Sequence, residues 1–468
     1  MKNLNIYFVI ALFFLFNFSN SQCFSKANAG AFNGVAIKPN GTIWGWGNGG
    51  SGQLNNGTNF DEYEPIQLST TSDWSYISNG NGDTFAIKTN GTLWATGYNV
   101  YGSLGIGSTA LSSDVFVQVG TATNWKEIAA SSSQTIGIRT DNTIWGWGQN
   151  DYYQTGIGTC CANVLSPVQI GTANDWKMVA VSKVSSSFAL KNNGTLWAWG
   201  QNIGGLLGTN SVSVWQTPTQ RFPDTDWKTI SAGRAHILAL KTNGTLWAWG
   251  SANAGETGHD PNLFFDASTP NQILGNWKEI SAGFRFSLGI KTDGTLWAWG
   301  QNDYGQLGNG TTQNTFTPIQ IGNDTNWATV SAGQTHVVAM KTNGGVYTWG
   351  DNTYAQLGNG TTTSTTSPGL LNIAGCTLAN NEFTTIQNNV VLSPNPTSSE
   401  VRIRYQGTAT VNTIIIYDIT GRVVHKEQPL AANSFSAVLN ISSLEKGTYV
   451  VVLKNNESAV VSKKLVKE

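Results

Sequence analysis

Charge is what this chain has least of. Asp, Glu, Lys and Arg together make up 11% of its 468 residues, and the formal net charge is −1. A nucleic-acid binder presents a basic face to neutralise phosphates. Here residues 388–468 hold nine Lys/Arg against six Asp/Glu, which leaves the rest of the chain, without Lys2, near −5. Nucleic acid is therefore excluded as a partner. Long apolar runs are also missing: the longest apolar-rich stretch, Ile6 to Phe18, falls short of the roughly 20 residues that span a bilayer. No stable membrane span is expected. What the chain has instead is 53 Gly, 19 Trp and 40% hydrophobic residues. That balance suits many short strands joined by tight turns and a substantial core, not long helices or disorder.

The first residues read as an export signal. Lys2 precedes the apolar stretch, and the small residues Ser19 and Ser21 stand where a cut between Ser21 and Gln22 requires them. Gln22 before Cys23 does not make a lipoprotein site. Residues 1–21 are thus expected to be a signal peptide, and the mature protein to pass through the periplasm.

From there to residue 375 one unit repeats. The segment Gly294-Thr-Leu-Trp-Ala-Trp-Gly300 recurs with its first aromatic at Trp44, Trp94, Trp145, Trp197, Trp247, Trp297 and Tyr347. A second anchor opens each unit at Phe24, Trp74, Trp125, Trp176, Trp227, Trp277 and Trp327. Of the nineteen Trp, only Trp215 stands outside the register. One unit reads as four strands, 277–282, 286–291, 295–299 and 318–321. Asp293-Gly294, or Asn-Gly as at Asn40-Gly41, marks a two-residue hairpin with both turn residues at positive φ. About fifty residues in four short antiparallel strands is the size of one propeller blade, and seven blades close into a ring with few open edges. The fold class is therefore all-β, with a seven-bladed propeller over residues 22–375.

These repeats resemble the regulator-of-chromosome-condensation family of propellers. The most specific pieces are Ser331-Ala-Gly333 followed by His336, the Trp-Gly pair, and Asn302-Asp-Tyr-Gly-Gln-Leu-Gly308. The resemblance implies the fold. It does not carry over the founding member's nucleotide-exchange activity on a small GTPase, whose loop residues have no counterpart that can be placed here.

Residues 376–387 read as a polar linker, and residues 388–468 as a small immunoglobulin-like β-sandwich of alternating β-branched strands. Ser393-Pro-Asn-Pro396, Tyr417-Asp-Ile-Thr-Gly421, Gly447-Thr-Tyr449 and the final Lys463-Lys-Leu-Val466 fall in the order of the type A sorting domain of the type IX secretion system of Bacteroidota, which this tail resembles. The resemblance implies the type IX machinery as a partner, passage across the outer membrane, and a product released or held at the cell surface.

Candidate site residues are few. Tyr101, Tyr152, Tyr304 and Tyr354 share one loop position, four residues beyond the Gly of the Trp-Gly pair. With Tyr153 and Trp215 they could offer a rim of aromatics for stacking on sugars or anchoring a protein; the alternative is that each packs on its own blade. Cys23 and Cys376 flank the ring, and a disulfide between them would staple it shut, with about 5 kcal/mol in the chain-entropy model; two free thiols are the alternative. Cys160-Cys161 is either a vicinal disulfide or a thiol pair. His236 and His336 share a position held elsewhere by Asn33, Asp83, Gln134, Ser186 and Phe286, which points to a framework role. No cluster of ligands with metal spacing is present, and no cofactor is expected. The Gly-rich run 97–107 lacks the Lys and helix start of a phosphate loop.

Asp61, Glu62, Glu64, Asp83, Asp114, Asp151, Glu256, Asp260 and Asp266 form no recognisable acid/base pair in sequence. The sequence therefore favours a monomeric, secreted or cell-surface binding scaffold for a glycan or protein. A secreted hydrolase using the propeller's central pocket and a purely structural surface repeat are the alternatives.

Overall fold

The computed structural model describes residues 23–373 and 390–468, apart from 132, 212, 261–266, 419–421, 429–431 and 456–457. The expected cut between Ser21 and Gln22, the linker 376–387 and Cys376 lie outside the described residues. The chain forms two compact units, one up to Leu378 and one from Ala379. Among the described residues no helix is long and apolar enough to cross a membrane.

In the first unit, twenty-eight strands, β1 to β28, make seven four-stranded antiparallel sheets, each from four consecutive strands. The sixth blade is representative: β21 (Trp277–Ala282), β22 (Phe286–Lys291), β23 (Leu296–Gly300) and β24 (Thr315–Gln320). All of β22 except its final Lys291 is buried and β24 is largely exposed. This gradient follows from the layering. The middle strands are covered on both faces by neighbouring blades and read as continuous small and apolar residues, whereas the fourth strand borders solvent.

The hairpin between the second and third strands corrects the sequence reading in one respect. In the first blade the Lys38 N–H donates to the Thr42 carbonyl and the Gly41 N–H to the Lys38 carbonyl, so the loop has three residues, not two. Only Gly41 has positive φ, at 79°. Asn40 instead accepts the Thr42 N–H and hydroxyl on its side-chain oxygen. Pro39 at the second turn position suits this arrangement of a type I turn followed by one left-handed residue. In the third blade Asn142 takes the left-handed place, with φ 60°.

The first strands β1 (Lys26–Ala29), β5 (Trp74–Asn79), β9 (Trp125–Ala130), β13 (Trp176–Val181), β17 (Trp227–Ala232), β21 and β25 (Trp327–Ala332) surround a central channel with a cavity of about 310 Å³. The hydrophobic core is divided into layers between blades. One layer joins Leu288, Ile290 and Leu296 of blade six to Trp327, Val337 and Trp349 of blade seven. Another joins Phe24 and Trp46 of blade one to Val338, Met340 and Leu371. Blade one contacts blade seven without exchanging a strand, so the ring closes on side-chain packing and a few hydrogen bonds.

A cation marks the same place in every blade, at the end of the second strand: Lys38, Lys88, Arg139, Lys191, Lys241, Lys291 and Lys341. Each lies over two aromatic rings of its own blade. Lys291 Nζ, for example, is 3.4 Å from the Trp297 centroid and 5.2 Å from that of Trp277. The repeat spacing thereby acquires a physical meaning: the opening aromatic and the third-strand aromatic are the two walls of one cation site.

The second unit is a two-sheet β-sandwich. One sheet holds β29 (Val390–Ser393), β30 (Glu400–Val411) and β33 (Ala432–Asn440). The other holds β31 (Thr413–Asp418), β32 (Val423–Glu427), β34 (Gly447–Asn455) and β35 (Ser458–Lys467). Val401, Ile403, Ile414, Ile416, Val451 and Leu465 fill the space between them. The alternation of buried and exposed residues along β34 is that of a strand with one face on this core.

Candidate functional site

One face of the ring, here called the upper face, carries the short turns between first and second strands and the long loops between third and fourth strands. The hairpins with their cation sandwiches lie on the lower face. This division follows from strand register, since the second strand's start pairs with the third strand's end, as Asn33 does with Gly47.

Several polar side chains of the channel wall bond blade to blade. Asn28 Nδ2 donates to the Ile77 carbonyl and Tyr76 Oη to the Ile128 carbonyl, each at 3.0 Å. Glu127 Oε1 accepts the Val179 N–H at 3.1 Å. The hydroxyls of Ser231, Ser281 and Ser331 accept the N–H groups of Ala282, Ala332 and Ala29, each at 2.9 Å. Burial raises the pKa of the Glu127 carboxyl and that of the Tyr76 phenol. These groups join adjacent walls, and no nucleophile–base pair is formed among them.

The residues that open the second strands form a buried ring just below the upper mouth: Asn33, Asp83, Gln134, Ser186, His236, Phe286 and His336. His236 Nε2 is 2.9 Å from the Ser287 hydroxyl of the next blade, and that hydroxyl donates to the Glu256 carbonyl at 2.7 Å. Burial lowers the pKa of His236 to about 3 and that of His336 to about 4. Both are neutral framework groups at physiological pH. The carboxylate of Asp83 makes no well-formed hydrogen bond with any described residue, and burial raises its pKa to about 8.

Above this ring the strand turns meet in a collar. Lys183 N–H donates to the Gly233 carbonyl at 3.1 Å, and Arg234 N–H to the Phe284 carbonyl at 3.2 Å. Gln334 N–H donates to the Ala31 carbonyl and Ala31 N–H to that of Gly80, each at 3.1 Å. Lys183 also lines the channel, beside Asn79, Asn81 and Ser131. The sequence reading passed over these collar residues. The available signal was positional: between the small residue that ends the first strand and the residue that opens the second, the units stop resembling one another.

The six aromatic candidates divide. Tyr152, Tyr304 and Tyr354 are exposed at 41%, 46% and 42% on the upper-face loops of blades three, six and seven. Tyr101 of blade two is half-buried, with its ring 6.4 Å from that of Tyr98. Tyr354 packs edge-on at 5.3 Å against Phe32 of blade one, which sits in the collar. The arc therefore runs over blades six, seven, one, two and three. Tyr153 is half-buried with φ 58°, at the position where blade seven carries Ala355 (φ 57°) and the other five blades carry Gly. Trp215 is apart from the arc: it lies in β16 (Val214–Arg221), the outer strand of blade four, with Arg221 at 4.2 Å over its ring. Cys160 and Cys161 are bonded to each other in the blade-three loop. Cys23 is buried at the entrance to blade one. Among the described residues no three His, Cys, Asp or Glu side chains converge as metal ligands.

Comparison with known proteins agrees with both units. Regulator of chromosome condensation (RCC1) repeat models match residues 40–87, 141–186 and 125–154, and an RCC1-like domain model matches 180–393. A secretion system C-terminal sorting domain matches 391–468. Over 193 residues the chain is 28% identical to the ultraviolet-B receptor UVR8 of Arabidopsis thaliana, covering 38% of this chain and 42% of the receptor. Over 218 residues it is 27% identical to the E3 ubiquitin-protein ligase HERC2 of Homo sapiens, covering 45% of this chain and 4% of the ligase. The matched region thus spans less than half the length of these relatives. Among solved structures, Prp20p from Saccharomyces cerevisiae superposes with a TM-score of 0.64 at 19% identity, covering 73% of this chain and 88% of that one. Human WBSCR16 superposes with a TM-score of 0.61 at 18% identity, covering 67% and 86%. These likenesses establish the fold. The chain carries an RCC1-repeat propeller followed by a type IX sorting domain.

Proposed function

We propose that this chain is a secreted or cell-surface scaffold that binds a glycan or protein partner through the upper face of its propeller and catalyses no reaction. The observation that carries the reading is the arc of aromatics on one face, Tyr304, Tyr354, Phe32, Tyr101 and Tyr152, three of them tyrosines with large exposed area. Rigid aromatics on one rim supply contact area at low entropic cost. The sorting domain at the C-terminus supports delivery by the type IX machinery, by way of the periplasm, to a place where such a partner is met. The hydrolase alternative has less support, because the phenol of Tyr76 and the carboxyl of Glu127 in the channel are engaged in blade-to-blade bonds.

The test is an array of glycans and surface proteins probed with the full exported chain and with its Tyr304→Ala, Tyr354→Ala double variant. Capture of a ligand that weakens about tenfold or more in the double variant supports the reading. Turnover of a polysaccharide or peptide with no ligand captured overturns it. For delivery, deletion of residues 391–468 is expected to strand the protein in the periplasm, and normal export of the truncated chain refutes the sorting role.

A further inference from the structure

Sixteen Lys and Arg residues lie between positions 24 and 373, and their distribution is uneven. Seven are the second-strand cations of the lower face. Lys26, Lys126, Lys177, Lys228 and Lys278 stand at or beside the start of a first strand, and Arg221 ends a fourth strand, also toward that face. The remaining three, Lys183, Arg234 and Arg285, are the only ones on the upper face. All three lie in the collar, on blades four, five and six in succession. The backbone bonds Lys183–Gly233 and Arg234–Phe284 hold their turns against one another.

We propose that this collar sector is an anion site that holds the carboxylate or sulfate groups of an acidic polysaccharide. The proposal rests on the reading of the upper face as the binding face and names the class of ligand. Four observations carry it. None of the three cations forms an ion pair with a described residue. Two buried carboxyls interact with them, Asp83 with Lys183 and Glu256 with Arg285, and burial raises the pKa of both, which lessens their opposition to an anion. The blade-four loop beside them, residues 201–211, contains no Asp or Glu, while the acidic residues of the upper face belong to the other blades. The Arg234 guanidinium lies 5.2 Å over the Phe284 ring, which restrains the fork that carboxylate and sulfate accept in bidentate fashion. Lys183 lines the channel mouth beside the amides of Asn79 and Asn81, groups that match sugar hydroxyls better than the apolar side chains of a peptide. Burial lowers the pKa of Lys183 to about 8, so the charge of the site is expected to fall above that pH.

The experiment is calorimetric titration of the full exported chain with polygalacturonate, chondroitin sulfate, a neutral cello-oligosaccharide and poly-glutamate. Wild type is compared with Lys183→Gln, Arg234→Gln, Arg285→Gln combined, and with Lys126→Gln, Lys228→Gln as a lower-face control. The expected result is binding of an acidic saccharide that weakens with rising salt and falls about tenfold or more in the collar variant, with the control unchanged. A melting curve of each variant separates lost binding from lost folding. Acidic-saccharide binding unchanged in a folded collar variant overturns the proposal, as does equal affinity for the neutral oligosaccharide. Binding of poly-glutamate with no saccharide bound replaces the proposal with an acidic-protein site. If no charged probe binds while the tyrosine-dependent ligand is still captured, the anion site falls and the binding-face reading stands.

Discussion

The indole N–H of Trp46 donates to the carbonyl of Gln356 at 3.0 Å, across 310 positions of sequence and across the seam where the first blade meets the last. The same bond recurs within the ring. Trp147 donates to Ser103, Trp199 to Gln154, Trp249 to Leu206, Trp299 to Glu256 and Trp349 to Gln306, at 2.8 to 3.0 Å. Blade two lacks this Trp, and the Thr96 hydroxyl replaces it by donating to the Gly52 carbonyl at 2.8 Å. All seven interfaces, the closing one included, are therefore tied by one device.

Replacing Trp46 with Phe keeps most of the buried ring and removes the donor. Because the Gln356 carbonyl is left buried without that partner, the cost is expected at about 1–3 kcal/mol. Chemical denaturation measures it, with Trp299→Phe as the internal comparison. A similar loss in both indicates that the seam is as cooperative as any other interface. A seam that opens independently would instead give Trp46→Phe a separate early transition.

Gly333 follows the first strand of blade seven, and a Cβ there would run into His336 and approach the Gly30 carbonyl oxygen of blade one to 2.6 Å. Gly333→Ala is expected to destabilise the propeller by about 1–3 kcal/mol through overpacking at the seam. The denaturation midpoint reports it, and an unchanged midpoint refutes the close approach.

The buried ring below the collar sets opposing pH dependences. His236 and His336 have lowered pKa values, so the unfolded chain takes up protons first and stability falls as pH drops from about 6.5 toward 4. Asp83 has a raised pKa, so the folded state holds its proton to about pH 8 while the unfolded state has released it; this contribution is lost as pH rises from about 4 through 8. Between pH 6.5 and 8 only the Asp83 effect remains of these. Wild type is expected to lose stability over that interval and Asp83→Asn to show no such slope, while Lys183, whose pKa burial lowers to about 8, adds an opposite slope only above that pH. Unfolding free energies at the two pH values decide it.

The cation sandwiches differ in their ionic partners. Lys241 pairs with Asp224 at 2.5 Å and with Asp226 at 3.1 Å, whereas Lys291 makes no ion pair with a described residue. Lys291→Gln is expected to cost about 1 kcal/mol with little salt dependence, because a close cation–ring contact is screened weakly. The cost of Lys241→Gln is expected to shrink as salt rises, its carboxylate partners being partly exposed. Melting temperatures at low and high ionic strength distinguish the two.

Much of the fold was legible along the chain because the unit repeats. Trp277 and Trp297 recur every fifty residues or so, and the strand spans they bracket agree with β21 to β24 to within a few residues. The tail was legible from Tyr417 and Gly447 onward because its turn residues and β-branched runs alternate within single strands. The hairpin type was misread. Asn-Gly is compatible with two- and three-residue loops, and the choice depended on Lys38 and Thr42 pairing through their backbones. The aromatic arc was half legible: Tyr304 and Tyr354 share a loop position, but that Trp215 lies elsewhere depends on which strand its loop leads into.

The sequence by itself determined the blade, its number of copies and the sorting tail, because each is encoded by contacts within about fifty to eighty neighbouring residues. Only the tertiary structure decided that blade one meets blade seven without strand exchange, and that Trp46 is the donor across that seam. It alone placed Lys183, Arg234 and Arg285 side by side. Those relationships join residues from about fifty to more than three hundred positions apart, and ring closure, which no local pattern encodes, brings them together.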